Sequence, residues 1–495
     1  MPLSLSNRDQ NSGHLFYNRR LRAATTRFSV RMKHDDRKMT AALVISVVFM
    51  ALGVGWCGLA NVLKPRGRID GDSSIVVNRD THAIYARIDG RMYEALNLTS
   101  ARLATGNAGQ PTEVKASEIE KWPPGPLVGI PGAPSATPIN RGAVSAWAVC
   151  DTAGAPRSGD KPVVTSIAGP LSRGGRASAV TDGVGVLVTF EGATYVVWDG
   201  KRSQVDPADR AVTLSLGLDP GVTVPVELSR SVFDAMPATE PIVVPVVPGA
   251  GGPARWLPGS LVGSVVEVKS AAGDSTFYAV LEDGVQKITS FVADLLRTDK
   301  SFGSAAPKVI SPDALTGVPQ VKTLPVEYYP ASRLSFVDTA ANPTTCVGWE
   351  KGSGDPQARV TVFNGRGLPV SAAMDDRAVP LVRDDRDPNS VVAHRVLVLP
   401  GAANFVTATS GVVKADSRES LWWLSERGVL FGVASDEATL KALTLDPGAA
   451  VQAPWPILAT FPKGPALSQG AARTARDTVT SLGAVQPVNQ AKAGG

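Results

Sequence analysis

The sequence is poor in the side chains that most often carry chemistry: four histidines and three cysteines in 495 residues. Beyond residue 63 the only histidines are His82 and His394. Neither has neighbours that would complete a nucleophile–base–acid triad, so both read as surface or internally satisfied polar groups. Two cysteines and so few histidines cannot readily close a tetrahedral shell, and no metal is expected. The single Gly-Lys pair, Gly200-Lys201, is followed by Arg202 and lacks the upstream glycine and the Ser or Thr of a phosphate-cradling loop. The glycine-rich run at 169–179 reads as a loop. The acidic run with Asp384, Asp385 and Asp387 reads as a solvated turn without a partner for paired-carboxylate catalysis. Asn97-Leu98-Thr99 fits a glycosylation acceptor, a pattern common by chance. No catalytic, cofactor-binding or metal-binding residue is expected.

Charge is missing from one stretch altogether. Thr40–Leu63 runs 24 residues without a charged side chain, between Lys38 and Lys64. As a helix it rises about 36 Å, enough for the roughly 30 Å of a bilayer's hydrocarbon, and satisfies its own backbone hydrogen bonds there. A cleaved signal peptide would have a shorter apolar region followed by an A-x-A-like site; this run ends in Lys64-Pro65-Arg66-Gly67. The reading is one uncleaved transmembrane helix.

Residues 1–39 carry nine basic side chains against three acidic ones, a net +6 in a chain of net +5, so everything after the arm sums to −1. The arm's Arg19, Arg20, Arg22, Arg27, Arg31, Lys33, Arg37 and Lys38 are a topology signal that keeps the N-terminus in the cytoplasm and sends the body outside. They could also touch anionic membrane lipid. The charge belongs to the arm rather than to the body, which argues against nucleic acid as a partner. A helix is expected from about Ser12 through Lys38, either interfacial, a handle for a cytosolic partner, or a solvated arm.

Cys57 lies in the span, leaving Cys150 and Cys346 outside. In an oxidising compartment such a pair is most simply a disulfide, two unrelated buried thiols being the alternative. Closing a loop of about 200 residues would add up to roughly 5 kcal/mol in the chain-entropy model.

Four segments of the body resemble one another: 83–95, 194–205, 277–288 and 421–433, each an apolar strand, a turn and a second strand. The turns hold Gly90, Gly200, Gly284 and Gly428, three of them after Asp. A short helix is expected after each, capped near Thr99 or Ser100, Asp209, Thr289 or Ser290, and Ser435. A second short helix then ends at a proline with apolar residues four and one positions before it. These are Ile119 and Trp122 before Pro123, Phe233 and Met236 before Pro237, Leu315 and Val318 before Pro319, and Leu458 and Phe461 before Pro462. The turn glycine lies 33, 37, 35 and 34 residues upstream of its proline, which argues for one ββαα module used four times. One such module buries little surface and must dock on something. The β-type runs between modules, at 144–150, 183–190, 358–365 and 390–399, supply a central core with one cysteine in each half.

The expected architecture is therefore α+β, with a single N-terminal transmembrane helix and a large β-rich extracytoplasmic domain of four ββαα repeats around a disulfide-linked central β core. Its parts are a basic arm (1–39), span (40–63), linker (64–74), repeat 1 (75–131), core (132–190), repeat 2 (191–260), repeat 3 (261–323), core (324–415), repeat 4 (416–466) and tail (467–495).

The arm segment GHLFYNRRLRAATTRFSVRM (13–32), the single span, ALNLTSARLATG (95–106), GPLVGIPGAP (125–134), WAVCDT (147–152), the four modules and GPALS (464–468) together resemble the EccB family of type VII (ESX) secretion systems. The likeness covers essentially the whole chain and is strongest to the branch of the second ESX cluster. It implies a core structural component that assembles with EccC, EccD, EccE and other EccB copies into an inner-membrane protein-export machine. It also implies an elongated, oligomerising periplasmic body, with repeats similar to a phage lysin's cell-wall-binding module and possible contacts with a mycosin protease and the cell wall. Cys150 and Cys346 match the family's disulfide positions. The family is described as having ATPase activity too. This sequence offers that activity no motif, and EccC, with its own nucleotide-binding domains, is the more natural motor. A structural scaffold ranks first, a wall-binding anchor second and an ATPase third, with ATP a cofactor only in the last.

Overall fold

The computed structural model describes residues 8–28, 33–63, 69, 73–154, 160–270, 273–298, 306–382, 390–414 and 417–479. It separates into two units. One comprises Met1–Asp72, Asn78–Thr81 and Thr112–Lys121, the other Ser73–Val77, His82–Pro111 and Trp122–Gly495.

The first unit carries two long helices, Arg8–Arg27 and Lys33–Leu63, and the short helix Ala116–Ile119. The expected single arm helix stops at Arg27, and Phe28 follows with a positive φ of 50°, a conformation no helix continues through. The second helix contains the apolar stretch Met39–Leu59, of mean hydropathy 2.3, long enough to cross a bilayer. Cys57 lies in it as a free thiol.

The second unit holds a central sheet and the greater part of four blocks. Each block opens with three antiparallel strands. In the second block these are Val184–Phe190, Ala193–Trp198 and Lys201–Val205; in the third, Val265–Lys269, Ser275–Val280 and Val285–Ile288. In the fourth they are Phe405–Thr409, Leu421–Leu424 and Leu430–Val433; in the first, Ile75–Asn78, Ile84–Ile88 and Arg91–Ala95. A helix follows in every case: Leu98–Thr105, Arg210–Leu216, Ser290–Thr298 and Glu437–Leu443. Their caps are Asn97, Asp209, Thr289 and Asp436, whose side-chain oxygens accept an N–H two or three residues on. Two of these differ from expectation, since Asn97 and Asp436 displace the neighbouring hydroxyl residues.

The order ββαα is incomplete. A strand precedes each hairpin, and another lies between the two helices: Thr112–Val114 in the first block, and Val226–Glu227, Lys308–Ile310 and Val451–Pro454 in the others, these three parallel to that first strand. These connecting strands span two to four residues, too short to display a period of two. Val184–Phe190, expected in the central core, opens the second block's sheet instead, because its continuous apolar run fits either site.

The constant glycine-to-proline spacing has a direct cause. The carbonyls of Pro123, Pro237, Pro319 and Pro462 accept backbone N–H bonds from Met92, Arg202, Val285 and Leu430, at 3.0, 2.8, 2.8 and 2.8 Å. Each donor lies one or two residues past the turn glycine, so the chain leaves the hairpin, passes through both helices and returns to the same edge of the sheet. Proline stops the second helix there and holds the preceding residue extended. Asp199-Gly200, with φ of 44° and 73°, forms the left-handed pair of a tight hairpin turn. At Gly284 a Cβ would meet the Pro319 carbonyl oxygen at 2.2 Å, so that close return excludes any side chain.

The central sheet has seven strands, in the order Val379–Pro380, Arg395–Val398, Val163–Ala168, Val144–Thr152, Thr344–Gly352, Arg359–Gly365 and Ala177–Ala179. It draws on both inter-block segments, and its middle pair aligns Cys346 with Cys150 and Trp349 with Trp147. The two cysteines form a disulfide that closes 196 residues.

Candidate functional site

No catalytic constellation was expected, so the chemistry of interest is at the joints between blocks. Alternation on the central strands gives the sheet two faces. Trp147, Val149, Val347, Trp349, Val164 and Val396 point to one face, while Ala148, Cys150, Cys346 and Phe363 point to the other. The first face receives the closing helices of the second and fourth blocks, Arg230–Ala235 and Trp455–Leu458. Phe233, Met236, Leu458 and Phe461 are buried there, with Phe461 edge-on to Trp147 at 5.8 Å. Each joint also has a polar anchor. Ser166 Oγ and Thr460 Oγ1, both buried, lie 2.5 Å apart at the fourth block. At the second, Asp151 accepts bonds from the Ser229 N–H and hydroxyl, each 2.7 Å. Burial pushes the Asp151 carboxyl up to about 7, with the Ser229 bonds pulling the other way.

The outer blocks attach to the inner ones. Buried apolar residues of the second and third blocks form one cluster, those of the first and fourth another. The expected C-terminal tail is in part a strap on the first block. After strand Lys463–Leu467 and helix Gln469–Ala472, Ala475–Arg476 pairs with Leu127–Val128. The Arg473 and Arg476 Nε groups donate to the Ala104 and Gly129 carbonyls at 2.8 and 3.1 Å.

The other singled-out residues fall as follows. Arg19, Arg20, Arg22 and Arg27 lie on helix Arg8–Arg27, and Lys33, Arg37 and Lys38 on the start of helix Lys33–Leu63; Arg31 is outside the described residues. Gly90, Gly200, Gly284 and Gly428 occupy hairpin turns, and a Cβ on Gly428 would meet Val396 at 2.8 Å. His82 is exposed, while His394 Nδ1 accepts the Val164 N–H. Asn97 is committed to its helix cap through Oδ1 and donates its amide to the Ile130 carbonyl. Lys201 lies over the Trp198 ring at 3.9 Å, in a hairpin rather than a phosphate loop. Asp384, Asp385 and Asp387 are outside the described residues. Among the described residues no cluster of metal-ligating side chains occurs. A cleft of about 480 Å³ beside Arg255, Trp256, Glu282 and Asp283, and one of about 630 Å³ beside Arg173, Glu350 and Asp355, lie apart from the joints. The residue missed in the sequence was Asp151. Its signal was present: a carboxylate in register with Trp147 and Val149 on an apolar strand.

Comparison with known proteins follows the same outline. Residues 3–481 match the family described as "Type VII secretion system ESX-1, transport TM domain B". The chain is 71% identical over 495 residues to "ESX-2 secretion system ATPase EccB2" of Mycobacterium tuberculosis H37Rv, covering 100% of both. It superposes on a chain of an intact ESX-5 inner membrane complex with a TM-score of 0.75 and 36% identity, covering 99% of both chains. On the EccB3 dimer from the ESX-3 core complex the values are 0.70 and 35%, covering 81% of this chain and 100% of the other. With fold, disulfide, membrane-length helix and full-length likeness in agreement, the chain belongs to the EccB family of type VII secretion systems.

Proposed function

We propose that this chain is a structural subunit of an ESX inner-membrane secretion complex. Its basic arm lies in the cytoplasm, helix Lys33–Leu63 crosses the membrane, and the body stands in the periplasm. The observation that carries this reading is the superposition over 99% of both chains on a subunit of an intact ESX-5 inner membrane complex. Arm, anchor and body thus all have counterparts within one assembly. The distribution of charge supports the orientation, with +6 before the span and −1 after it. The four blocks are one module used four times, and they give the body several surfaces around a stapled core. The partners are EccC, EccD, EccE and further EccB copies, with a mycosin protease and the cell wall as outer contacts.

Deleting residues 64–495 while keeping the span tests the reading. A scaffold predicts that no intact complex is then isolated from membranes; recovery of the full complex would refute it. The Mycobacterium tuberculosis relative is called an ATPase. That activity predicts ATP turnover by the pure chain which a single side-chain change abolishes, whereas a scaffold predicts none.

A further inference from the structure

Asp151 is a carboxyl group enclosed at a joint between two layers. It stands on strand Val144–Thr152 and is 2% exposed. Ser229, which holds it through two bonds, is the cap of helix Arg230–Ala235, so those bonds fix the first turn of the second block's closing helix to the sheet. Among the described residues no cation bonds to Asp151. Arg230 on that helix pairs with Glu191, and Asp234 faces Arg202. On the adjacent strand Glu350 and Lys351 engage Arg173 and Gln452. His394 holds the N–H of Val164, the cross-strand neighbour of Asp151.

We propose that Asp151 is a proton-linked latch, which holds the second block on the central sheet when neutral and loosens it when ionised. An anion without a counter-charge is costly in a dry joint and cheap in water, so ionisation favours lifting of the helix. Neutralisation preserves both bonds: the protonated oxygen donates to Ser229 Oγ while the other still accepts the Ser229 N–H. The fourth block is a built-in reference, because its anchor, Ser166 with Thr460, has no titrating group. Burial raises the carboxyl to about 7 in the closed joint, against about 3.9 in the open chain. Opening is therefore favoured about tenfold per pH unit between those limits and levels off above about 7. The latch would make the stiffness of an envelope scaffold depend on the acidity around it.

Hydrogen exchange of the full-length protein in detergent tests this, following 229–236 against 455–461 from about pH 5 to about pH 8 with intrinsic rates corrected. The latch predicts that protection of 229–236 falls about tenfold per unit up to about pH 7 relative to 455–461. In Asp151→Asn, whose amide reproduces the neutral bonding pattern, the profile becomes flat. Parallel profiles for the two segments, or an unchanged slope in Asp151→Asn, would overturn the proposal. Should that variant fail to fold, Ser229→Ala serves instead: losing a bond that favours the charged form extends the fall to higher pH, and an unshifted profile overturns the latch.

Discussion

The second and fourth blocks share their closing pattern with the first and third, yet the four segments do different work. In the inner pair the apolar residues one and four positions before the proline, Phe233 with Met236 and Leu458 with Phe461, are buried against the central sheet. In the outer pair the equivalent residues, Ile119 with Trp122 and Leu315 with Val318, are only half-buried. The proline bond to the hairpin is present in all four. Local closure thus recurs in all four blocks, and burial depends on where each block sits in the body. One motif serves as a structural wedge in the inner blocks and as available surface in the outer ones.

The largest expected effect removes the staple within the sheet on which the inner wedges rest. Replacing Cys150 and Cys346 together by Ala should lower stability by up to about 5 kcal/mol, read as a drop in urea midpoint that added reductant no longer changes. Phe461→Ala comes next. Phe461 is fully buried against Trp147, so the cavity should cost about 3–5 kcal/mol in the same assay, while Trp122→Ala in the outer block should cost under about 1 kcal/mol. A further effect separates the two inner blocks by pH. Because the Asp151 carboxyl is raised above its open-chain value, its contribution is complete below about pH 4 and is lost as pH rises to about 7. Thermal midpoints of the wild type should fall over that range more than those of Asp151→Asn.

Much of this arrangement was legible in the sequence, because its signals are long or punctuated. An uncharged stretch of 24 residues has few alternatives to a membrane helix, and glycine and proline mark the hairpins and the ends of the closing helices. The runs at 144–150, 358–365 and 390–399 do enter the central sheet. Harder to read were elements whose identity depends on what they touch. Val184–Phe190 is a buried strand wherever it goes, and only its pairing with Ala193–Trp198 assigns it to a block. The strap formed by Arg473 and Arg476 has no local pattern, since its acceptors lie 369 and 347 residues away. The joints themselves were missed because Asp151, Ser229, Ser166 and Thr460 meet only in the folded body.

The most direct measurement compares one residue type at one motif position in two settings. Leu458 and Leu315 both stand four residues before the block's closing proline, the first buried on the central sheet and the second half-buried in an outer block. Urea unfolding of the full-length protein in detergent should give a loss of about 2–5 kcal/mol for Leu458→Ala and under about 1 kcal/mol for Leu315→Ala. Equal losses at the two positions would contradict the division into inner wedges and outer surfaces.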